Sequence, residues 1–152
     1  MNNKALVVID MENEWTEKLS PYYLGDISRI IIKQNKLIDF CRRKGYLIIF
    51  TTHIELSGNK FSAKTKRVKI IKDMHKEKGD VLIKKHKISP FYKTSLERKL
   101  KDIGHVLICC VLTNLCVRST AQDAYNRDKK ATIIDDCCKT FDFVVVAEED
   151  IV

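Results

Sequence analysis

Val106-Leu-Ile-Cys-Cys-Val-Leu-Thr-Asn-Leu-Cys116-Val-Arg-Ser-Thr-Ala-Gln-Asp-Ala124 opens as an uninterrupted apolar run and turns, near Thr113 or Asn114, into a helical pattern that buries Val117, Ala121 and Ala124. A continuous run, rather than an alternating one, marks a strand covered on both faces. The same signature recurs at Ala5 to Ile9, Tyr46 to Thr51, Val81 to Ile83 and Ala131 to Ile134, with Phe143 to Ala147 as a sixth candidate. Helical patterns lie between these runs. Ile27, Ile30, Ile31, Leu37, Ile38 and Cys41 share one face, with Asp26 as N-cap and Gly45 as the stop. Thr94-Ser-Leu-Glu97 has the spacing of a capping box and opens a short helix ending at Gly104. Strands alternating with helices predict an α/β fold of three layers, α-β-α, around a central, mostly parallel sheet of about six strands. Only Cys137 to Asp142 separate the fifth run from the sixth, whereas a parallel crossover needs about a dozen residues. The fold is therefore expected to be abbreviated at its C-terminus.

The 152 residues, 45% hydrophobic and 32% charged, are read as one globular domain spanning 1–152. The longest apolar run, Val106 to Leu112, falls far short of the roughly 20 residues of a membrane span, and no secretory signal is read at the N-terminus. No membrane association and a cytoplasmic location are expected. The net charge of +8 permits acidic partners. Much of the excess sits between Lys60 and Lys78, where eight Lys/Arg face only Asp73 and Glu77. With Phe61 as its one aromatic, this stretch is read as a solvated, partly helical surface rather than a nucleic-acid groove. The six cysteines (Cys41, Cys109, Cys110, Cys116, Cys137, Cys138) contain no CxxC pair, so reduced thiols are expected and no structural zinc site.

In parallel sheets ligands bind beyond the carboxyl ends of the strands, and three reactive side chains fall there. Asp10 closes the first run, Lys84-Lys85 the third, and Cys116 lies in the first turn after the fourth. Taken singly, each reads as a cap, a solvated amine or a small core residue. Together they are chemically coherent. A helix N-terminus and a nearby ammonium favour thiolate, a carboxylate accepts the thiol proton, and free backbone N–H groups stabilise the oxyanion of an acyl transfer.

The segments Ala5-Leu-Val-Val-Ile-Asp10-Met-Glu-Asn-Glu-Trp15, Asp80 to Leu96 and Val111-Leu-Thr113-Asn-Leu-Cys116-Val-Arg-Ser-Thr120-Ala resemble, in order and approximate spacing, the isochorismatase-like cysteine hydrolases, a superfamily that includes nicotinamidases and carbamoylsarcosine amidases. The resemblance implies an Asp-Lys-Cys triad of Asp10 as base, Lys85 and the nucleophile Cys116. Lys85 rather than Lys84 is implied because it stands four residues before Ser89 of a Ser-x-Phe motif. It also implies a cis peptide at Val111-Leu112, an oxyanion hole from the N–H groups of Leu112 and Cys116, and a substrate pocket containing Trp15, His53 and Phe91. The Asp-x-His metal motif of many nicotinamidases is replaced here by His53-Ile-Glu55, so neither a metal nor any other cofactor is expected. Cys110 stands where a Gly is common, and Glu12 and Glu14 replace Gln and Asp, which crowds like charge around Asp10. The implied function is hydrolysis of a C–N bond in a small amide, ureide or carbamoyl compound through a thioester, in a homo-oligomer, dimer or tetramer, with a small molecule as its partner. The alternatives are a catalytically inactive scaffold and an isochorismatase-type vinyl ether hydrolase.

Overall fold

The computed structural model describes residues 3–56 and 61–141. Among these residues five strands form one sheet: β1 (Lys4–Ile9), β2 (Leu47–His53), β3 (Val81–Lys85), β4 (His105–Val111) and β5 (Lys130–Lys139). All pairings are parallel and the order is β3-β2-β1-β4-β5, so β1 is central and the chain reverses its direction of winding between β1 and β4. The α-helices among the described residues are α1 (Ser28–Arg43), α2 (Leu96–Lys99) and α3 (Arg118–Tyr125). Phe143 to Ala147, expected as a sixth strand, lie outside the described residues.

Side-chain alternation explains why the strand sequences are continuously apolar. Leu6 and Val8 of β1 join Ile38 and Cys41 of α1 in one core, while Ala5, Val7 and Ile9 join Leu96, Leu100, Val117 and Ala124 in a second core on the opposite face. Two apolar layers thus clamp one sheet, as the three-layer reading requires. Burying one such Leu or Ile stabilises the fold by about 1.5–3 kcal/mol. Polar side chains lock α1 to its neighbours. Gln34 Nε2 donates to the Cys137 carbonyl at 2.8 Å, and Asn35 Nδ2 donates to the Asp73 carbonyl at 2.7 Å.

Asp26 accepts from the Ser28 N–H at 2.8 Å at the start of α1, and Gly45 takes the left-handed φ of +71° that ends it. The capping box closes only halfway. Thr94 Oγ1 accepts the Leu96 N–H at 3.1 Å, but Glu97 turns to Arg127 of the α3 region at 3.2 Å instead of returning to the helix start. Strand β5 runs to Lys139, beyond the expected Ile134, through a register shift in which Ile133 faces Ile108 and Cys138 faces Cys110. The basic stretch after Phe61 is less helical than expected, with a single 3₁₀ turn at Lys66–Val68.

Candidate active site

The three reactive side chains meet at the carboxyl end of the sheet, on both sides of the point where the winding reverses. Asp10 follows β1 with a φ of +52°, a left-handed conformation that Asp tolerates better than most residues. Its N–H donates to the Thr51 carbonyl at 3.1 Å, and Thr51 Oγ1 donates to Asp10 Oδ1 at 2.6 Å. These bonds leave Oδ2 to face Lys85.

Lys85 arrives from the edge strand β3, reaching past β2. Period-2 alternation turns Ile83 and Lys85 inward and Leu82 and Lys84 outward, which selects Lys85 on physical grounds. Its ammonium is fully buried and stands 2.7 Å from Asp10 Oδ2. It also donates to the Lys87 carbonyl at 3.1 Å and to Cys116 Sγ at 3.5 Å, and lies 3.4 Å from His53 Nδ1. A buried ion pair is sustained only when further hydrogen bonds replace lost water, and these contacts do so. Burial works against the ammonium, but Asp10 and Cys116 outweigh it, and the Lys85 pKa is raised.

An ammonium can only donate, so His53 Nδ1 accepts and the imidazole proton sits on Nε2. Burial, followed by the Lys85 charge, pulls the His53 pKa down and keeps the ring neutral.

Cys116 lies in a π-helical turn, Thr113–Val117, between β4 and α3. Such turns recur at functional sites. The sequence suggested a resting thiolate, and the structure corrects this. Burial and the Asp10 carboxylate push the Cys116 pKa up to about 11, against the opposing pull of Lys85, so the sulfur rests as a thiol bonded to Asp10. Moving that proton from sulfur to carboxylate leaves one negative charge beside one ammonium, before and after. The transfer therefore creates no new buried charge.

The expected cis peptide is a second correction: the peptide bonds of the described residues are trans. The turn out of β4 is made by Leu112 itself, with φ −17° and ψ 99°. Cys110, in place of a Gly, is accommodated because its side chain points into the second core, where Sγ contacts the Val111 carbonyl at 2.5 Å.

Asp10 and Cys116 open onto a cavity of about 150 Å³ that Trp15, Tyr22, His53, Phe61, Ile88, Leu112 and Leu115 line with them. Trp15 and His53 stand where expected. Phe91 does not: it is buried in the second core with the Arg127 guanidinium over its ring at 4.6 Å. Phe61 and Tyr22 are wall residues that the sequence reading missed. Their signal was weak, a lone aromatic within a basic stretch and a Tyr in a Pro-containing loop. A wider depression of about 630 Å³ at Tyr125 to Ala131 lies at the opposite end of the sheet, remote from these groups.

Glu12 is a further buried carboxyl beside the site, fully enclosed. Its Oε1 accepts the His53 N–H at 2.6 Å, and its Oε2 has no partner among the described residues. Burial and the adjacent Asp10 push its pKa up to about 10, so the like-charge repulsion expected around Asp10 is relieved by a proton on Glu12. Glu14 pairs with Arg67 at 3.4 Å.

Comparison with known proteins agrees with this architecture. A 29% identical relative, nicotinamidase 3 of Arabidopsis thaliana, aligns over 90% of this chain and 73% of its own length. The ureidoacrylate amidohydrolase RutB of Variovorax paradoxus is 23% identical over 89% of this chain and 68% of its own. Among solved structures, the N-carbamoylsarcosine amidase of Thermoplasma acidophilum superposes with a TM-score of 0.81 at 25% identity, covering 89% of this chain and 83% of that one. A cysteine hydrolase from Pseudomonas syringae superposes with a TM-score of 0.87 at 22% identity, covering 99% and 82%. The model of the isochorismatase domain matches residues 4–146, and the chain belongs to the isochorismatase family of hydrolases.

Proposed function

We propose that the protein hydrolyses a C–N bond of a small amide through a thioester on Cys116, with Asp10 as the proton-transfer group and Lys85 as the fixed counter-charge. The observation that carries this reading is the Lys85 ammonium, buried between Asp10 Oδ2 at 2.7 Å and Cys116 Sγ at 3.5 Å, where the cavity ends. Amidohydrolase relatives at 29% and 23% identity support it.

Asp10 takes the thiol proton as Cys116 Sγ bonds to the carbonyl carbon. The resulting oxyanion is stabilised by the N–H groups of Leu112 and Cys116, both cavity residues. The tetrahedral adduct collapses, the C–N bond breaks, and the leaving nitrogen collects the proton held by Asp10. Water then gives a proton to Asp10 and adds its oxygen to the thioester, and the C–S bond breaks to release a carboxylic acid and the thiol. Lys85 never gives up its proton; its charge balances whichever partner is anionic.

Ammonia release from a panel of small primary amides tests the proposal. Turnover by the unaltered protein that falls about 10⁴-fold or more in Cys116→Ala and in Asp10→Asn is expected. Turnover that survives in Cys116→Ala overturns it.

A further inference from the structure

The cavity constrains what the acyl group is. Its walls divide by chemistry. Trp15, Tyr22 and Phe61 form one side, with ring centroids 5.5 Å apart for Trp15 and Phe61 and 5.1 Å for Tyr22 and Phe61. The His53 ring meets Phe61 edge-on at 5.1 Å. Ile88, Leu112 and Leu115 form the other side, and the exposure of Ile88 (49%) and Leu115 (42%) places the mouth there. Trp15 on the aromatic side is anchored, its Nε1 donating to the Asp10 carbonyl at 2.5 Å, and Phe61 has a left-handed backbone conformation, φ +47°.

Among the described residues, no Arg or Lys lines this cavity. The Lys85 ammonium beside it is already committed to Asp10, Cys116, the Lys87 carbonyl and His53. A carboxylate on the substrate would lie mostly among hydrocarbon and aromatic walls, close to the Asp10 charge, with a neutral His53 ring and, among the described residues, no cation to meet it. Burying an unpaired carboxylate is strongly unfavourable. Volume adds a second limit, since an apolar cavity of about 150 Å³ holds a benzene-sized ring.

We infer that the substrate's acyl group is uncharged, apolar and about six heavy atoms in size, a single flat ring or a short branched chain, and not a ureido or carbamoyl acid. This rests on the hydrolase reading above and narrows it: relatives are named for ureidoacrylate and carbamoylsarcosine, both of which carry a carboxylate. Phe61, the ring that meets Trp15, Tyr22 and His53, is the wall residue whose removal should enlarge the slot.

Two measurements on the unaltered protein test it. The first compares kcat/KM for benzamide and isovaleramide with that for succinamate and hydantoate. The second asks whether benzaldehyde or succinate semialdehyde, each adding reversibly to the thiol, shields Cys116 from iodoacetamide at pH 9, read by peptide mass. The neutral amides should be favoured by about 100-fold or more, and benzaldehyde alone should shield. Phe61→Ala should raise kcat/KM for 2-naphthamide relative to benzamide by about 10-fold or more. Equal or better use of succinamate or hydantoate, or shielding by the semialdehyde, overturns the inference and leaves the hydrolase standing. Shielding by benzaldehyde alone, with no ammonia from any amide, supports the apolar slot and removes the hydrolase. No shielding by either aldehyde overturns the inference, and an unchanged naphthamide ratio removes Phe61 as the wall that limits the slot.

Discussion

Cys116 rests as a thiol beside the Asp10 carboxylate, and that arrangement has measurable consequences. The Cys116 pKa, pushed up to about 11 by burial and by Asp10, makes alkylation by iodoacetamide accelerate from pH 7 to pH 10 without a plateau near neutrality. Asp10→Asn removes the repelling carboxylate and leaves the Lys85 charge, so alkylation at pH 7 should become faster while amide turnover is lost. Slower alkylation in that variant would contradict the arrangement. Glu12 gives a second test at this scale. Its pKa is about 10 in the fold against an ordinary 4.5, so between these values the unfolded chain loses the proton while the folded chain keeps it. Its contribution is therefore fully present below about pH 4.5 and is lost as pH rises toward 10. The groups facing it are Asp10, Glu14, Lys85 and the His53 N–H, and only Lys85 is cationic. Glu12→Gln stays neutral throughout, so its Tm advantage over the unaltered protein should widen from pH 5 to pH 9; a constant difference would mean that Glu12 is ionised in the fold. The sequence pointed to Asp10, Lys84-Lys85 and Cys116 because each closes or follows a readable strand, the family resemblance chose Lys85, and the structure brings Asp10, Lys85 and Cys116 together. It misjudged the resting state of the sulfur because desolvation depends on what surrounds a side chain, and a motif does not carry that information.

Among the elements, the loop after β3 and helix α3 are joined by a hydrogen bond from Ser89 Oγ to the Asp123 carboxylate, while Ser89 Oγ also accepts the Phe91 N–H at 3.2 Å. This tie holds the strand that delivers Lys85 against the helix that follows Cys116. Ser89→Ala should cost about 1–3 kcal/mol in urea unfolding and lower kcat more than it changes KM. An unchanged kcat would show that the two elements hold their positions without it. Most elements were legible: all five strand runs, the face and both ends of α1, and the strand-to-helix turn near Thr113. The misreadings share a cause, competition from partners distant in sequence. Glu97 completes a capping box on paper, yet Arg127 takes its carboxylate. Phe91 sits in a motif that says nothing of which way a loop residue faces, and it turns into the core. Phe61 reaches the cavity through a left-handed turn that leaves no periodic trace.

For the whole molecule, strand order decides where the three reactive side chains meet. Because β2 and β4 flank β1, a lysine from one edge and a cysteine from the far side of the reversal converge on one carboxylate. This makes the ion pair part of the global fold. Lys85→Met would leave Asp10 buried without its counter-charge, and should destabilise the protein by about 3–5 kcal/mol, read as a lower urea midpoint at unchanged m. Loss of activity with full stability would instead place the pair outside the cooperative core. The net charge of +8 has no counterpart in the site geometry. Among the described residues no helix is long and apolar enough to cross a membrane. The aromatic wall has a different origin from the reactive groups: Trp15 and Tyr22 belong to the connection after β1 and Phe61 to the one after β2, whereas Asp10 and Lys85 sit at strand ends. On the proposed function, the walls that choose the acyl group and the groups that cleave it therefore sit on separate parts of the chain, and grafting new connecting segments onto an untouched scaffold should change what is accepted without rebuilding the chemistry.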